Sequence, residues 1–455
     1  MATVSSPRPA RPLTGGAARS ASGQFLSAAA GALTTLILAR ILGPAAAGRY
    51  AVGMSLIIGL QTIGTLSLQL GIGYYVGRGS WPARRALKET QLAALVLGAG
   101  AVLAAFLIRG LVPAAFHGVG VGLTMIAAAS VPFALSWTFS AGVALATDHY
   151  ELFALPPALQ NSIALVAVLS LGAVYGVPGA LAGLTLSHVL TAGLTLRWCR
   201  GRLPRETRTN DQGGQLRHAL VFALKSHAAN TMTFVTYRLD IFILNSVAAA
   251  RQVGQYSIAV AVTQAVWLLP EALSSVLLPR IAQVSAGQVA VEDDYQELIE
   301  RKGVRHAASL AALSALLLVG ALIVLVLVVL GPRFHESIKL GLILLPGSAL
   351  LAITSALTSV MAGRGRPGYS LAVSLATAPV AVGLYVWLIP VDGAVGAALA
   401  SSIAYVFGFC VSASLAGRML HRPILRMIVP TRAEVQDYVN LLGAITRRRT
   451  SDGLG

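Results

Sequence analysis

Apolar residues form long, uninterrupted runs along this chain and do not alternate with polar residues. Runs of roughly 20 residues are long enough for a helix to cross a bilayer, whereas membrane β-strands alternate. The pattern therefore predicts an all-α polytopic membrane protein with about twelve transmembrane helices. The runs lie near residues 23–42, 50–76, 86–108, 122–146, 152–175, 179–197, 219–246, 255–282, 305–330, 337–361, 369–389 and 391–416. Because the last two share a tight turn at 390–393, eleven or thirteen spans would also fit.

Two segments that lie 206 residues apart repeat one pattern of small and aromatic residues. In each, an apolar run and a short turn of small residues lead to Gly-x-Tyr and a second apolar run, at Gly48–Tyr50 and at Gly254–Tyr256. A Gly- and Ala-rich motif at 179–183 returns at 393–397 and supports the duplication. Halves with an even number of spans run in the same direction. The sequence therefore predicts two parallel, pseudo-twofold-related six-helix halves around a central cavity.

This duplication divides the chain into five predicted regions. Residues 21–197 form the first six-helix bundle, residues 219–416 form the second, and residues 198–218 are a cytoplasmic linker. The proline- and arginine-rich tail of residues 1–20 is expected to be disordered. The tail of residues 417–455 is basic and partly amphipathic, and we expect it to contact anionic membrane lipids.

Charge placement predicts the orientation of these spans. The chain is 56% hydrophobic and 11% charged, with a mean hydropathy of +0.73, which excludes an ordinary soluble domain. With both termini placed inside, 26 of the 34 Lys and Arg residues fall in cytoplasmic connections and 6 in outer ones. This asymmetry follows the positive-inside rule and predicts a multi-pass plasma-membrane protein with both termini cytoplasmic. The charged segment 284–304 is predicted to form a short amphipathic surface helix on that side.

Several short motifs occur in a fixed order along the chain. They are Leu38–Pro44 with Gly48–Ala51, Tyr237–Asp240, Gly254–Ser257, Leu277–Arg280 and Gly363–Pro367. In this order and spacing, across residues 20–416, the chain resembles the polysaccharide-biosynthesis flippases of the MOP (multidrug/oligosaccharidyl-lipid/polysaccharide) exporter superfamily, to which MATE-type drug exporters also belong.

The resemblance implies a flippase of a bacterial plasma membrane. Such a protein moves a polyprenyl-diphosphate-linked oligosaccharide from the cytoplasmic to the outer leaflet by alternating access, and polysaccharide-assembly proteins would be its partners. No cofactor is implied; transport would use the membrane potential or a coupling H⁺ or Na⁺. Relatives that flip the peptidoglycan precursor usually have fourteen spans, which favours a different glycan here. Drug exporters usually carry an acidic residue in the first span, and residues 23–38 contain none.

Ionisable residues in the seventh predicted span are the main candidates for substrate binding. Such groups cost about 2.5–3.5 kcal/mol each near the centre of a membrane helix. At about 100° per residue, two polar stripes are predicted, because His227 lies about 20° from Arg238 and Lys225 about 60° from Asp240. The stripes, with Asn230, either line a hydrated cavity or serve the structure. In the first case the Arg238 guanidinium would bind phosphate oxygens in a bidentate manner. In the second, Lys225 would extend toward the cytoplasmic interface and Arg238 would pair with Asp240.

Four further polar residues lie within or at the ends of predicted spans. Glu271 follows Pro270 in span 8, where it would bind a coupling cation or proton, or pair with a cationic side chain of the cavity. Gln61 and Asn161 would hydrogen-bond either sugars or neighbouring helices. Arg40, at the outer end of span 1, would lie at the interface, although the family tends to carry a basic residue there.

The sequence indicates a transporter and not an enzyme. Cys199 and Cys410 lie in different halves, and neither metal-ligand spacing nor a catalytic motif is recognisable. A MATE-type antiporter for small molecules is the alternative with the same architecture. A membrane glycosyl-polymerase or ligase is the alternative from another class, but it would need a sizeable outer loop with catalytic residues, and the predicted outer connections are short.

Overall fold

The computed structural model of the protein describes residues 13–203, 214–285, 293–421 and 424–429. The described residues are helical and contain no strand. The helices are α1 (Leu13–Leu42), α2 (Pro44–Gly64), α3 (Leu68–Gly77), α4 (Ala83–Leu111), α5 (Val121–Ala128), α6 (Val131–Ala146), α7 (Tyr150–Arg202), α8 (Gln215–Val247), α9 (Ala250–Thr263), α10 (Leu268–Ser285), α11 (Asp293–Val324), α12 (Glu336–Gly363), α13 (Gly368–Leu420) and α14 (Leu425–Ile428). Short 3₁₀ segments lie at Pro113–Phe116, Gln264–Trp267 and Pro332–Phe334, and a π-helical segment lies at Leu325–Leu330.

The prediction of an all-α polytopic membrane protein is confirmed. By length and composition, seven helices of the described chain can cross a membrane, or eight if the bent pair α2 and α3 forms one span. Two of the seven, α7 and α13, are 53 residues long, which is about twice the length needed. Each is interrupted at a glycine with positive φ, Gly176 (64°) or Gly393 (56°), a conformation that other residues rarely adopt. Each long helix therefore holds two of the predicted spans.

The eighth predicted span contains a local change of helix type. The α-helical turns of α9 give way to a 3₁₀ turn at Gln264–Trp267, and α10 then begins two residues before Pro270. Proline lacks a backbone N–H, so it cannot bond the carbonyl four residues earlier, and neighbouring 3₁₀ turns commonly accommodate that loss. A local distortion of the helix therefore precedes Pro270.

Contacts divide the helices into two compact units. The first contains the described residues up to Ile258 together with Leu327–His335 and Ile389–Ala394, and the second contains the remaining described residues. Helix α8 packs on α2 and α3 within the first unit. The two six-helix halves joined by the linker 198–218 stay a prediction. At the N-terminus, α1 begins at Leu13, so part of the tail predicted to be disordered is helical.

The two copies of the Gly-x-Tyr motif meet inside the first unit. A Cβ atom on Gly48 would lie 2.1 Å from the carbonyl oxygen of Ala250, and one on Gly254 would lie 1.8 Å from that of Pro44. Both distances are far below van der Waals contact, so only glycine allows α2 and α9 to approach this closely. Tyr50 and Tyr256 are both buried. The repeated motif is thus a backbone-to-backbone crossing.

The second unit has a packed apolar core and an ion pair whose carboxylate is buried. Val304, Leu345 and Leu357 belong to the core. Glu300, which is 1% exposed, accepts two 2.7 Å hydrogen bonds from the Arg364 guanidinium. This finding corrects the predicted surface helix at 284–304, because α11 runs without a break from Asp293 to Val324. Residues 286–292 lie outside the described chain.

The start of the predicted basic tail also packs on the second unit. Ile424 and Met427 are buried in its core, and α14 covers four residues. These apolar side chains therefore contact protein and do not lie free at a lipid surface. Residues 430–455, the rest of the predicted basic tail, lie outside the described chain.

Candidate functional site

The second span is broken between α2 and α3 inside the first unit. The two helices are bent by 42° at the break, where Leu66 (φ 46°) and Ser67 (φ 54°) both adopt left-handed backbone conformations. Residues other than glycine rarely do so, at a cost of order 1–3 kcal/mol each, and such strain persists only where neighbours maintain it.

A chain of polar side chains on α8 holds this break. The amide nitrogen of Asn230 donates to Ser67 Oγ at 2.8 Å, and Ser67 Oγ lies 3.4 Å from His227 Nδ1. The other ring nitrogen of His227 lies 3.4 Å from Thr231 Oγ1. Two glycines bring α8 close on either side of the break: a Cβ on Gly59 would lie 2.5 Å from the Phe234 ring, and one on Gly71 2.4 Å from the Ala219 oxygen. Helix α8 therefore helps to hold the break.

A cavity of about 390 Å³ opens where α8 passes this break. Its lining residues are Ile58, Gln61, Thr62, Thr65, Gln69, Asn230, Thr233, Phe234, Tyr237 and Arg238. On α2 they follow the spacing i, i+3, i+4, i+7, and on α8 the spacing i, i+3, i+4, i+7, i+8. Each set therefore forms one face of its helix. All ten belong to the first unit.

The chemistry of the cavity is cationic and otherwise neutral. Arg238 contributes a cationic guanidinium, which presents several N–H donors in one plane. Three amides and three threonine hydroxyls add hydrogen-bonding groups, while Phe234 and Ile58 add apolar surface. None of the ten lining residues is acidic. Such a cavity suits an anion with attached hydroxyl groups, and it disfavours a cation.

Comparison with known proteins gives the family. A family model described as a polysaccharide biosynthesis protein matches residues 37–339, which is more than half of the chain. The chain belongs to this family. The match confirms the resemblance deduced from the motifs. No curated protein matches the chain.

Solved structures establish the fold of the chain. It is similar to the lipid II flippase MurJ in an inward closed conformation, with 13% identity and a TM-score of 0.70 over 90% of this chain and 88% of that one. It is also similar to a multidrug resistance MATE family transporter of the MOP superfamily. The inward-facing form gives 16% identity and a TM-score of 0.65, covering 87% of this chain and 96% of that one. The outward-facing form gives 17% identity and a TM-score of 0.62, covering 89% and 94%. The chain therefore has the fold of the MOP exporters.

Three of the predicted site residues meet in the cavity. Gln61, Asn230 and Arg238 line it together. His227 is half-buried beside it and contacts Ser67 at the break. Lys225 lies on α8, but its side chain is outside the described part of the structure.

Asp240 lies apart from the cavity lining. Its carboxylate is 1% exposed, accepts a hydrogen bond from the Tyr256 hydroxyl, and accepts a second at 2.8 Å from the backbone N–H of Ile241. A buried carboxylate is stable only when such donors surround it. Its observed contacts are those of a group that ties α8 to α9.

Replacing Tyr256 with phenylalanine is expected to lower the free energy of unfolding by about 1–3 kcal/mol, because a buried carboxylate loses a donor. Thermal unfolding of the detergent-purified protein measures this change. Tyr175→Phe is the matched control, since that side chain is 67% exposed. Equal stability of the two variants would argue against a structural role for the Asp240–Tyr256 hydrogen bond.

The other predicted site residues occupy separate positions. Arg40 is exposed and donates to the carbonyl oxygens of Val328, at 3.4 Å, and of Val329. Asn161 donates to Ser27 Oγ at 2.6 Å and so connects α7 to α1. Glu271 belongs to the second unit and is exposed. None of the three is among the residues that line the cavity.

Five polar residues of the cavity were not among the predicted site residues, namely Thr62, Thr65, Gln69, Thr233 and Tyr237. A signal was available, because they lie one, three, four, seven or eight positions from Gln61 or Asn230, and most of these spacings fall on the same face of a helix. Threonine is common in membrane helices because its hydroxyl can bond the preceding turn. Its presence alone therefore gave no reason to choose these positions.

Proposed function

We propose that this protein is a flippase that moves a polyprenyl-diphosphate-linked oligosaccharide from the cytoplasmic to the outer leaflet of a bacterial plasma membrane. The observation that carries the proposal is the cavity of the first unit, where Arg238 is accompanied by amides and hydroxyls and by no acidic lining residue. Arginine binds phosphate oxygens in a bidentate manner, and the neutral groups suit a sugar. The family description and the structural likeness to a lipid II flippase support the same substrate class.

In the proposed cycle, the protein exposes the bound head group to one side of the membrane and then to the other. The lipid tail remains in the bilayer while the diphosphate and glycan cross, and both termini face the cytoplasm. No chemical bond is formed or broken, so the protein acts as a transporter and not as an enzyme. Folds that pass through inward-facing and outward-facing forms, as the MATE structures do, allow such a cycle.

The membrane potential would contribute to the direction of transport. Moving one elementary charge across 100 mV is worth about 2.3 kcal/mol, so a diphosphate with two negative charges gains about 4–5 kcal/mol when it leaves an inside-negative cell. This contribution needs no nucleotide site. A coupling H⁺ or Na⁺, with Glu271 as the candidate acceptor, would add to the same driving force.

Transport in proteoliposomes tests the proposal. We expect purified protein to move a polyprenyl-diphospho-oligosaccharide between leaflets. The rate should rise when a potassium diffusion potential makes the starting side negative. Loss of the labelled glycan to an impermeant glycosidase measures the rate, and protein-free liposomes give the background. A rate unaffected by the potential would refute the electrical drive. Transport of an organic cation with no movement of the lipid would refute the flippase and identify a MATE-type antiporter.

A further inference from the structure

Hydrogen bonds within the protein fix the orientation of the Gln61 side chain in the cavity. Its amide nitrogen lies 3.3 Å from Thr138 Oγ1. The Thr138 hydroxyl donates its hydrogen to the carbonyl oxygen of Ala134 at 2.7 Å, so its oxygen must act as acceptor toward Gln61. The amide group therefore turns its nitrogen toward α6. Its oxygen, which is a hydrogen-bond acceptor, is left for the cavity.

Two neighbours of Gln61 in the cavity are oriented in the same sense. Asn230 donates through its amide nitrogen to Ser67 Oγ at 2.8 Å, which leaves its amide oxygen as an acceptor. The Thr65 hydroxyl donates to the carbonyl oxygen of Thr62 at 2.9 Å, which leaves the lone pairs of its oxygen. We call Gln61, Thr65 and Asn230 the acceptor wall. Its residues donate to the protein, and the groups left for a ligand are predominantly acceptors.

An acceptor wall selects a ligand that carries donors. A bare phosphate carries acceptors only, so it has nothing to offer these oxygens. A metal or organic cation would suit them, but the Arg238 guanidinium lines the same cavity and opposes a positive charge. Sugar hydroxyls are neutral donors. Along α8, the eight residues from Asn230 to Arg238 rise about 12 Å, so a sugar at the wall and a phosphate at Arg238 occupy different parts of one cavity.

We propose that the acceptor wall binds hydroxyl groups of the sugar next to the diphosphate, and that Gln61 determines selectivity for the glycosylated lipid over the bare lipid diphosphate. The protein thereby distinguishes a loaded carrier from an empty one before transport. This inference rests on the proposed function, in which Arg238 binds the diphosphate. Arg238 contributes to both ligands, whereas the acceptor wall contributes only to the one that bears a sugar.

Binding measurements with two ligands test the assignment. The probes are farnesyl diphosphate and its ester with a single hexose, titrated by microscale thermophoresis into the purified full-length protein. Gln61→Met keeps the length of the side chain but removes the acceptor. We expect it to weaken binding of the glycosylated probe three- to tenfold, the effect of one neutral hydrogen bond, and to leave the bare diphosphate unchanged. Unchanged binding of the bare probe also verifies that the variant is folded.

A matched variant separates recognition from packing. Gln160→Met makes the same change at a buried glutamine that donates to Ser187 Oγ and is not among the residues that line the cavity. Glycosylated-probe affinity within twofold of the unmodified protein supports the proposal. The proposal would be overturned if the control variant lost as much affinity for the glycosylated probe as Gln61→Met. It would also be overturned if Gln61→Met had no effect on binding, or weakened the binding of both probes equally. The proposed function fails separately, if Arg238→Gln binds both probes as tightly as the unmodified protein.

Discussion

Arg238→Gln is expected to lower the rate of lipid-linked glycan transport about 100-fold. Glutamine keeps a polar side chain of similar reach but removes the charge and the planar pair of donors that arginine offers a phosphate. A hydrogen bond to a charged group contributes about 1.5–3 kcal/mol, and every 1.4 kcal/mol changes an affinity tenfold, so the loss of a bidentate pair gives two orders of magnitude or more. Initial rates in proteoliposomes at subsaturating lipid provide the measurement.

Two further variants calibrate this result. Arg238→Lys keeps the charge without the bidentate geometry and should fall between the unmodified protein and Arg238→Gln. Arg251→Gln makes the same change at an exposed arginine that is not among the cavity residues, and it should transport within twofold of the unmodified protein. If both glutamine variants lost activity equally, the effect would reflect total charge and not the cavity.

Gly254→Ala is expected to prevent stable folding, or to lower the free energy of unfolding by more than about 3 kcal/mol. Its new methyl group would lie 1.8 Å from the carbonyl oxygen of Pro44, and a backbone atom cannot move aside as a side chain can. Relief requires that α2 and α9 separate. The yield of monodisperse protein in size-exclusion chromatography and its thermal unfolding give the measurement.

The control for this prediction is Gly73→Ala on α3, where a Cβ would meet no atom within 4 Å. Alanine has the higher helix propensity, so this variant should be as stable as the unmodified protein or slightly more stable. A Gly254 variant with the same unfolding temperature would mean that the two Gly-x-Tyr motifs tolerate a wider separation than the structure contains.

The sequence predicted the class of fold and singled out part of the cavity lining for definite physical reasons. Uninterrupted apolar runs fold as helices in lipid, because a helix forms all the hydrogen bonds of its backbone N–H and C=O groups within the segment. Gln61, Asn230 and Arg238 were identifiable because each is a polar residue in an otherwise apolar run. The duplicated Gly-x-Tyr motif was visible because the crossing of its two copies requires glycine in both.

Other features depend on contacts that no local pattern encodes. The break at Leu66 and Ser67 contains neither glycine nor proline. These two residues are the usual sequence signals of a helix break, so this break could not be predicted. Asp240 could not be separated from the cavity residues, because its partner Tyr256 lies sixteen positions further along, on another helix. Glu300 seemed to belong to a surface helix, because its partner Arg364 follows α12.

The Asn230 side chain donates a hydrogen bond to Ser67 at the strained bend and also lines the cavity. Thermodynamic linkage makes such an arrangement reciprocal: if the second crossing straightened and moved Asn230, the affinity of the cavity for a head group would change, and a bound head group would change the free energy of straightening. Straightening would relieve the left-handed torsion angles of Leu66 and Ser67. We therefore expect occupancy of the cavity and curvature of that helix to change together.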